Sequence, residues 1–261
     1  MTDHVSIALQ RLLKIIRRLR SPDGCPWDIS RSITDAGKYL IEEAYEVLDA
    51  VDEASFPALK EELGDLLFQI LFLARMAEEA GEFTLEEVIT LITEKMIRRH
   101  PHVFGKEKVS TVEDVKCIWD KIKRTVENKQ HASRLGRLPL SLPALTRAQK
   151  FTERAAYAGF DWPDMEGVLD KIDEEILEFR NAVKSCHEEK ISEEIGDLLF
   201  SLVNLSRFAG VDAEAALRKA TEKFFRRFYN MEQKIAESGK SSLPSSPEAM
   251  DAMWEEVKRE E

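Results

Sequence analysis

The sequence predicts an all-helical protein built from two tandem, homologous helical bundles. Three observations support this prediction. Glycine and proline are scarce, with 11 and 9 residues among 261, and apolar residues recur at helical intervals along most of the chain. In addition, several blocks of sequence occur twice, in the same order. With 43% hydrophobic residues, the chain is long enough to bury a substantial core.

The repetition is clearest in two acidic blocks. The segment 61–68, EELGDLLF, is nearly reproduced 132 residues later by the segment 193–200, EEIGDLLF. At the same offset, EEAYE at 42–46 corresponds to EEILE at 174–178. Further along the chain, 93–99 resembles 221–227, and 119–123 resembles 254–258. Because all four blocks repeat in the same order, a duplicated domain is the better explanation.

The boundary between the domains is predicted within 131–142, where serine, glycine and proline interrupt the helical periodicity. The sequence therefore predicts an N-terminal domain over 1–130, a linker over 131–142 and a C-terminal domain over 143–261, of ordinary domain size. Each domain is expected to contain four or five helices. The apolar pattern predicts them at 4–20, 34–53, 57–80, 84–100 and 111–129, and at 143–157, 165–186, 190–208, 212–237 and 247–259.

Charge and cysteine content argue against several classes of protein. A formal net charge of −11 argues against a nucleic-acid partner, because binding to a phosphate backbone needs surplus Lys and Arg. No apolar run approaches the roughly 20 residues of a membrane span, and the N-terminus lacks a signal-peptide pattern. Cys25, Cys117 and Cys186 are too few and too widely spaced for a disulfide framework. We therefore expect a soluble, cytoplasmic protein.

Four carboxylates in the second half are predicted to hold a metal ion. Glu175 and Glu178 are three residues apart on one predicted helix, as are Glu194 and Asp197 on the next, so each pair shares a helix face. A short turn makes these helices antiparallel neighbours. Four converging carboxylates repel one another unless a cation lies between them. Oxygen ligands without His or Cys favour Mg²⁺, with Mn²⁺ as a substitute, over zinc.

The alternative is that these acids lie on solvent-exposed helix faces, as an isolated Glu-x-x-Glu pair usually does. The metal site is favoured because the same arrangement and spacing recur in the first half, where the equivalent residues are Glu43, Glu46, Glu62 and Asp65. A di-iron bundle would also gather carboxylates, but it expects Glu-x-x-His pairs. None of these acidic pairs contains a histidine.

Two lysines distinguish the second half from the first. Lys171 and Lys190 each lie four residues before a proposed metal ligand, on the same helix face, whereas their equivalents are Tyr39 and Ala58. Carboxylates, a metal and an anionic substrate need additional positive charge, which is missing at these positions of the first half. The sequence therefore predicts that the working site lies in the second half.

Further candidate binding residues are polar, basic or aromatic side chains of the second half: Asn204, Lys223, Arg226, Arg227, Trp254 and Lys258. Asn204 corresponds to Phe72 in the first half. Lys223 and Arg227 share a helix face and could bind one anionic group together. Two alternatives to binding stay open: each cation only neutralises neighbouring acids, and Trp254 only packs against neighbouring side chains.

The acidic pattern, together with Gly-Cys-Pro-Trp-Asp at 24–28 and the tandem halves, resembles the MazG nucleoside triphosphate pyrophosphohydrolases over essentially the whole chain. The resemblance implies the all-α pyrophosphatase fold and a homodimer. It implies magnesium-dependent hydrolysis of ribo- and deoxyribonucleoside triphosphates to monophosphate and pyrophosphate, for nucleotide-pool cleaning or stress response. It also implies that the C-terminal domain is the catalyst, that the N-terminal domain is often inactive, and that Trp254 stacks on the base.

The water that attacks the α-phosphorus would be oriented or deprotonated by Glu193, or by Glu174. Adjacent residues face different sides of a helix, so either acid could instead support the metal ligands. A non-catalytic function stays open, because a regulatory helical dimer that binds Mg²⁺ and nucleotide needs the same carboxylates and cations. The sequence identifies no regulatory protein partner, and it does not decide whether the first half binds metal.

Overall fold

The computed structural model describes residues 2–111, 114, 115, 118, 119, 122, 133–237 and 246–260. Within these ranges all regular secondary structure is helical, and the chain divides into two compact units, 1–129 and 130–261. The predicted fold class, an all-helical chain with tandem helical domains, is confirmed. The predicted helix at 111–129 lies mostly outside the described residues.

Six helices are described in the first unit. They are α1 (Thr2–Leu19), α2 (Pro26–Ser30), α3 (Ile33–Asp52), α4 (Phe56–Glu79), α5 (Leu85–Arg99) and α6 (Pro101–Phe104). Side chains fix where the long helices begin: Ser32 and Asp35 form a reciprocal capping box at α3, and the Ser55 and Thr84 hydroxyls cap α4 and α5. These caps satisfy backbone N–H groups that have no partner within the helix.

Helix α4 is central to the first unit, because it packs against α1, α3 and α5. Its buried side chains Leu71, Phe72 and Met76 meet Ile16 of α1 and Ala36 of α3 in one apolar core. Phe72 has no exposed surface. This packing holds α3 and α4 side by side and thereby fixes the helix faces that carry the first set of acids.

The second unit contains five described helices. They are α7 (Ala144–Tyr157), α8 (Met165–Lys184), α9 (Glu188–Phe208), α10 (Ala213–Glu237) and α11 (Pro247–Arg259). Helix α9 packs against α8 and α7, and α10 packs against α7, α9 and α11. Among the described residues, no helix is long and apolar enough to span a membrane.

The two units share the backbone conformation of one turn between equivalent helices. Between α3 and α4, Ala54 adopts φ +53°, and between α8 and α9, the equivalent Cys186 also adopts φ +53°. In both turns the next residue closes the helix end: the Ser55 N–H donates to the Ala50 carbonyl at 3.1 Å, and the His187 N–H donates to the Ala182 carbonyl at 3.4 Å. This shared turn reverses the chain and makes each pair of acid-bearing helices antiparallel.

Candidate functional site

Three of the four predicted metal ligands of the second unit converge. Helix α8 places Glu175, and α9 places Glu194 and Asp197, so that one carboxylate oxygen from each lies within 4.8 Å of the others. Glu175 is buried, with 5% of its surface exposed, while Glu194 is half-buried and Asp197 is exposed. The fourth acid, Glu178, is exposed and lies outside this group.

The electrostatics of this cluster favour a cation. Burial raises the pKa of Glu194 above its ordinary value, and the surrounding negative charges of Glu178, Glu175, Glu193 and Asp197 raise it further. Glu178 and Glu193 thus lie close enough to act on the cluster, although they are not among its three converging acids. Since every donor is a carboxylate oxygen, the cluster fits a hard divalent cation.

Lys171 lies against these carboxylates. Its Nζ is 2.9 Å from Glu175 Oε1 and 3.0 Å from Glu174 Oε1. Hydrogen bonds to Glu175 and then to Glu174 raise the pKa of Lys171 above its ordinary value, so the lysine is positively charged at neutral pH. The structure therefore places a cation one helical turn from Glu175, the buried member of the carboxylate cluster.

Asn204 is buried on α9, and two hydrogen bonds from one arginine fix its orientation. Its Oδ1 accepts from Arg207 Nε at 3.0 Å and from Arg207 Nη2 at 2.9 Å. Arg207 also donates from Nη1 to Asp161 Oδ2 at 3.0 Å and pairs through Nη2 with Asp161 Oδ1. The sequence analysis missed Arg207, although its equivalent, Arg75, is the same residue type in the first half.

The remaining candidates of α9, α10 and α11 are more exposed. Lys190 lies exposed on the first turn of α9, and Lys223 and Arg226 are exposed on α10. The Arg227 guanidinium carbon is 6.0 Å from the Trp254 ring centroid, and Lys258 pairs with Glu255 at 2.6 Å. Arg227 and Trp254 thus lie close together on α10 and α11.

The first unit repeats the carboxylate cluster. Glu43 of α3 and Glu62 and Asp65 of α4 each offer one oxygen within 4.8 Å of the others. Burial raises the pKa of Glu62, and a hydrogen bond with Glu46 and the charges of the surrounding acids raise it further. The two clusters therefore consist of equivalent carboxylates, and in both the pKa of the first acid on the second helix is raised.

In the first unit, Tyr39 stands where the second has Lys171. The Arg31 guanidinium carbon lies 4.1 Å from the Tyr39 ring centroid. Arg31 precedes α3 and corresponds to Pro163 in the second half, so the comparison of repeats gave no signal for it. Arg31 lies in the loop before α3, whereas Lys171 of the second unit lies on α8.

The fold and these clusters define a class: an all-helical protein of two related units, each with a carboxylate cluster suited to a divalent cation. Sequence comparison then identifies the family. Residues 31–104 and 164–231 each match the MazG nucleotide pyrophosphohydrolase domain. The chain therefore belongs to the MazG family and contains its domain twice.

Relatives match nearly the whole chain. This chain is 46% identical over 252 residues to the "Nucleoside triphosphate pyrophosphohydrolase/pyrophosphatase MazG" of Thermotoga maritima, and the match covers 97% of this chain and 96% of the relative. It is 46% identical over 260 residues to the "Nucleoside triphosphate pyrophosphohydrolase" of Escherichia coli K12, covering 97% and 98%. A solved "mazG-related protein from Thermotoga maritima" is 36% identical, covers 44% of this chain and 98% of its own, and has a TM-score of 0.39. The full-length relatives show that the chain is an enzyme of this family.

Proposed function

We propose that this enzyme hydrolyses ribo- and deoxyribonucleoside triphosphates to nucleoside monophosphate and pyrophosphate, with Mg²⁺, at a site in the second unit. One observation carries the proposal: Lys171 lies 2.9 Å from Glu175, within a cluster of three converging carboxylates. This arrangement offers negative charge for a divalent cation and positive charge for phosphate groups side by side. The names of the full-length relatives support the choice of substrate.

The carboxylates and the lysine have complementary roles. Glu175, Glu194 and Asp197 would hold Mg²⁺, with Glu178 beside Glu194 as the fourth ligand. Bound Mg²⁺ would offset negative charge on the triphosphate and on the departing pyrophosphate. Lys171 would bind a phosphate oxygen through its ammonium group.

Glu193 is the better candidate for orienting the attacking water. It is exposed at the edge of the cluster, where its charge acts on Glu194. The alternative, Glu174, already accepts a hydrogen bond from Lys171 at 3.0 Å through one oxygen. Glu193 would accept a proton from the water as it attacks the α-phosphorus.

The cations and aromatic side chain of α10 and α11 would bind the distal parts of the nucleotide. Lys223, Arg226 and Lys258 would contact phosphate oxygens, as would Lys190 on α9. Trp254 would stack on the base, supported by Arg227 at 6.0 Å from its ring and by Phe224, whose ring centroid is 5.3 Å away. Because Arg207 donates to the amide oxygen of Asn204, Asn204 would donate a hydrogen bond to the nucleotide from its amide nitrogen.

We also propose that the enzyme is a homodimer. Equivalent apolar side chains stand exposed on both acid-bearing helices, with exposed fractions between 41% and 50%: Leu63, Leu67 and Ile70 on α4, and Ile195, Leu199 and Leu202 on α9. Their spacing of four and then three residues makes one apolar stripe on each helix. Apolar stripes left exposed at the same place in both units favour an interface, and a second copy of the chain is the proposed occupant.

The physiological role stays a prediction. Nucleotide-pool cleaning or stress response follows from the family resemblance, and the cytoplasmic location follows from the cysteine content. We propose that the first unit, whose cations differ from those of the second, does not hydrolyse the substrate. A regulatory protein partner is not identified by any feature of the chain.

Product analysis tests the proposed reaction. A panel of nucleoside triphosphates would be incubated with the full chain, with and without Mg²⁺, and the products separated chromatographically. We expect equal amounts of monophosphate and pyrophosphate, and only with the metal. Diphosphate and inorganic phosphate as the initial products would refute attack at the α-phosphorus. Nucleotide binding without any product would instead favour the regulatory dimer.

A further inference from the structure

Three side chains of the second unit form a hydrogen-bonded relay that joins a loop to helix α9. Asp161 lies in the loop between α7 and α8, and Arg207 donates to both of its carboxylate oxygens. Arg207 also donates from Nε and Nη2 to Asn204 Oδ1, at 3.0 and 2.9 Å. The Asp161 and Arg207 side chains are 31% and 15% exposed, and Asn204 is 9% exposed. Asn204 is therefore the buried end of the Asp161–Arg207–Asn204 relay.

The relay fixes the orientation of the Asn204 amide. An amide oxygen has two lone pairs, and both hydrogen bonds from Arg207 end on Oδ1. The other end of the amide carries two N–H donors. Rotation of the amide by a half turn would place these donors against the guanidinium, which has no acceptor. In the observed orientation, Asn204 therefore interacts with a ligand as a hydrogen-bond donor.

Asn204 lies on the face of α9 that carries the proposed metal ligands. It follows Asp197 by seven residues, so it is rotated from Asp197 by only about 20° and displaced by about 10.5 Å along the helix axis. A nucleotide bound at the carboxylate cluster is long enough to place another of its oxygen atoms near Asn204. The position of Asn204 thus suits a contact to a part of the nucleotide away from the metal.

The first unit keeps the arginine of the relay but not its partners. Arg75 stands at the position of Arg207, and it donates to two glutamates of its own helix at 2.9 Å each. Apolar residues, Phe72 and Ile29, stand where the relay has its amide and its carboxylate. The three members of the relay therefore coincide in the unit for which we propose hydrolysis.

We propose that Asp161 and Arg207 are positioning residues, which hold the Asn204 amide so that its N–H groups select a hydrogen-bond acceptor of the bound nucleotide. The inference rests on the proposed function, because it requires a nucleotide at the carboxylate cluster of the second unit, but it does not require hydrolysis. An amide held in one orientation before binding removes an ordering cost from the binding step. The acceptor is an oxygen of the nucleoside or of a phosphate group.

A double-mutant cycle tests whether Asp161 acts through Asn204. Calorimetric titrations in Mg²⁺ would use α,β-methylene ATP, an analogue with a carbon bridge at the scissile position. Glu43→Gln would be present in every sample, so that the first unit contributes less to the signal. We expect Asn204→Ala to weaken binding about tenfold and Asp161→Asn about threefold. The double variant should bind only about tenfold more weakly, because no amide is left to position.

Two outcomes of the cycle would overturn the proposal. In the first, the double variant loses the product of the two single effects, about thirtyfold, which would show that Asp161 acts independently of Asn204. In the second, either single substitution leaves nucleotide affinity unchanged. Mg²⁺ affinity provides a further readout, since no member of the relay is a proposed metal ligand. It should be unchanged in all variants, and a joint loss of Mg²⁺ and nucleotide affinity would indicate a merely structural role.

Asp164→Asn provides the matched control in the same loop. The Asp164 carboxylate caps α8 by accepting a hydrogen bond from the Gly167 N–H at 3.1 Å, and asparagine caps a helix equally well. The substitution should leave nucleotide affinity unchanged. A loss equal to that of Asp161→Asn would show that any change in this loop weakens binding, and it would overturn the positioning role.

Inorganic tripolyphosphate distinguishes the two sources of the acceptor. If Asn204→Ala weakens binding of the nucleotide analogue alone, the acceptor belongs to the nucleoside; if it weakens both ligands, the acceptor belongs to a phosphate group. Either result supports the proposal, and unchanged binding of both ligands overturns it.

Circular dichroism would establish that Asp161→Asn folds. If it does not, Arg207→Lys takes its place in the cycle, because lysine keeps a positive charge near Asp161 but lacks the planar fork of arginine. Pyrophosphate release from ATP by the wild-type chain separates this proposal from the proposed function. A non-additive cycle without release would refute only the hydrolysis, and release with an additive cycle would refute only the positioning role.

Discussion

Replacing Lys171 with methionine should change cation and nucleotide affinity in opposite directions. In the structure, Lys171 pairs with Glu175, whose side chain is 6% exposed, while its own side chain is 33% exposed. A partly exposed pair within one helix stabilises by about 0.5–1 kcal/mol after screening by solvent. A divalent cation that takes up the Glu175 carboxylate competes with this pair. Removing the lysine should therefore tighten cation binding by about 2–5-fold.

The same substitution removes a charged donor to phosphate. A hydrogen bond to a charged group contributes about 1.5–3 kcal/mol, so nucleotide binding should weaken by about 10–150-fold. Both affinities would be measured by calorimetry, with Mg²⁺ alone and then with a non-hydrolysable triphosphate. Glu43→Gln would be present throughout, so that the first cluster contributes less to the signal.

Lys184→Met provides the matched control, because Lys184 is an exposed lysine in the last turn of the same helix. It should change neither affinity. If Lys171→Met weakened cation and nucleotide binding together, the lysine would have a structural role and the reasoning would be refuted. Unchanged nucleotide affinity would also contradict it.

Three further predictions concern stability and assembly. Arg207 donates to Asp161 and thereby lowers the pKa of that carboxyl. The pair therefore stabilises the fold fully above the usual carboxyl pKa of about 4, and this stabilisation is lost as pH falls through the lowered pKa. Asp161→Asn should lower the melting temperature more at pH 7 than at pH 3, and an equal decrease at both pH values would contradict this. Cys186 adopts φ +53°, so Cys186→Gly should raise the free energy of unfolding by about 0.5–1 kcal/mol in urea titrations, whereas a decrease would show that the turn is not strained. Leu199→Asp should convert the proposed dimer to monomer in light scattering, and an unchanged mass would exclude the stripe on α9 as the interface.

Helical periodicity predicted the parts of the site that lie on regular helices. The spacing within EEILE and EEIGDLLF placed Glu175, Glu194 and Asp197 on facing helix surfaces, and the structure brings these three together. Residues three apart on a helix are rotated by about 60° from each other. Both members of the Glu194–Asp197 pair join the cluster, whereas only Glu175 of the other pair does, so spacing alone does not reveal which members converge.

The contacts made from loops were not predictable in this way. Arg31 and Asp161 both lie outside the long helices, where no period relates sequence position to direction. Their partners, Tyr39 and Arg207, are on helices, but each contact depends on how the loop folds back. The repeat gave no help with Arg31, because a proline stands at its equivalent position. Loop geometry thus decides where the side chains of Arg31 and Asp161 make their contacts.

The most direct test of the central claim compares pyrophosphate release by Glu175→Gln and Glu43→Gln with that of the wild-type chain. The two substitutions remove the same charge from equivalent carboxylate clusters, so each serves as the control for the other. The account predicts that Glu175→Gln lowers the rate by about 100-fold or more, while Glu43→Gln leaves catalysis in the second unit working. Loss of activity only in Glu43→Gln, with Glu175→Gln fully active, would contradict the account and place catalysis in the first unit.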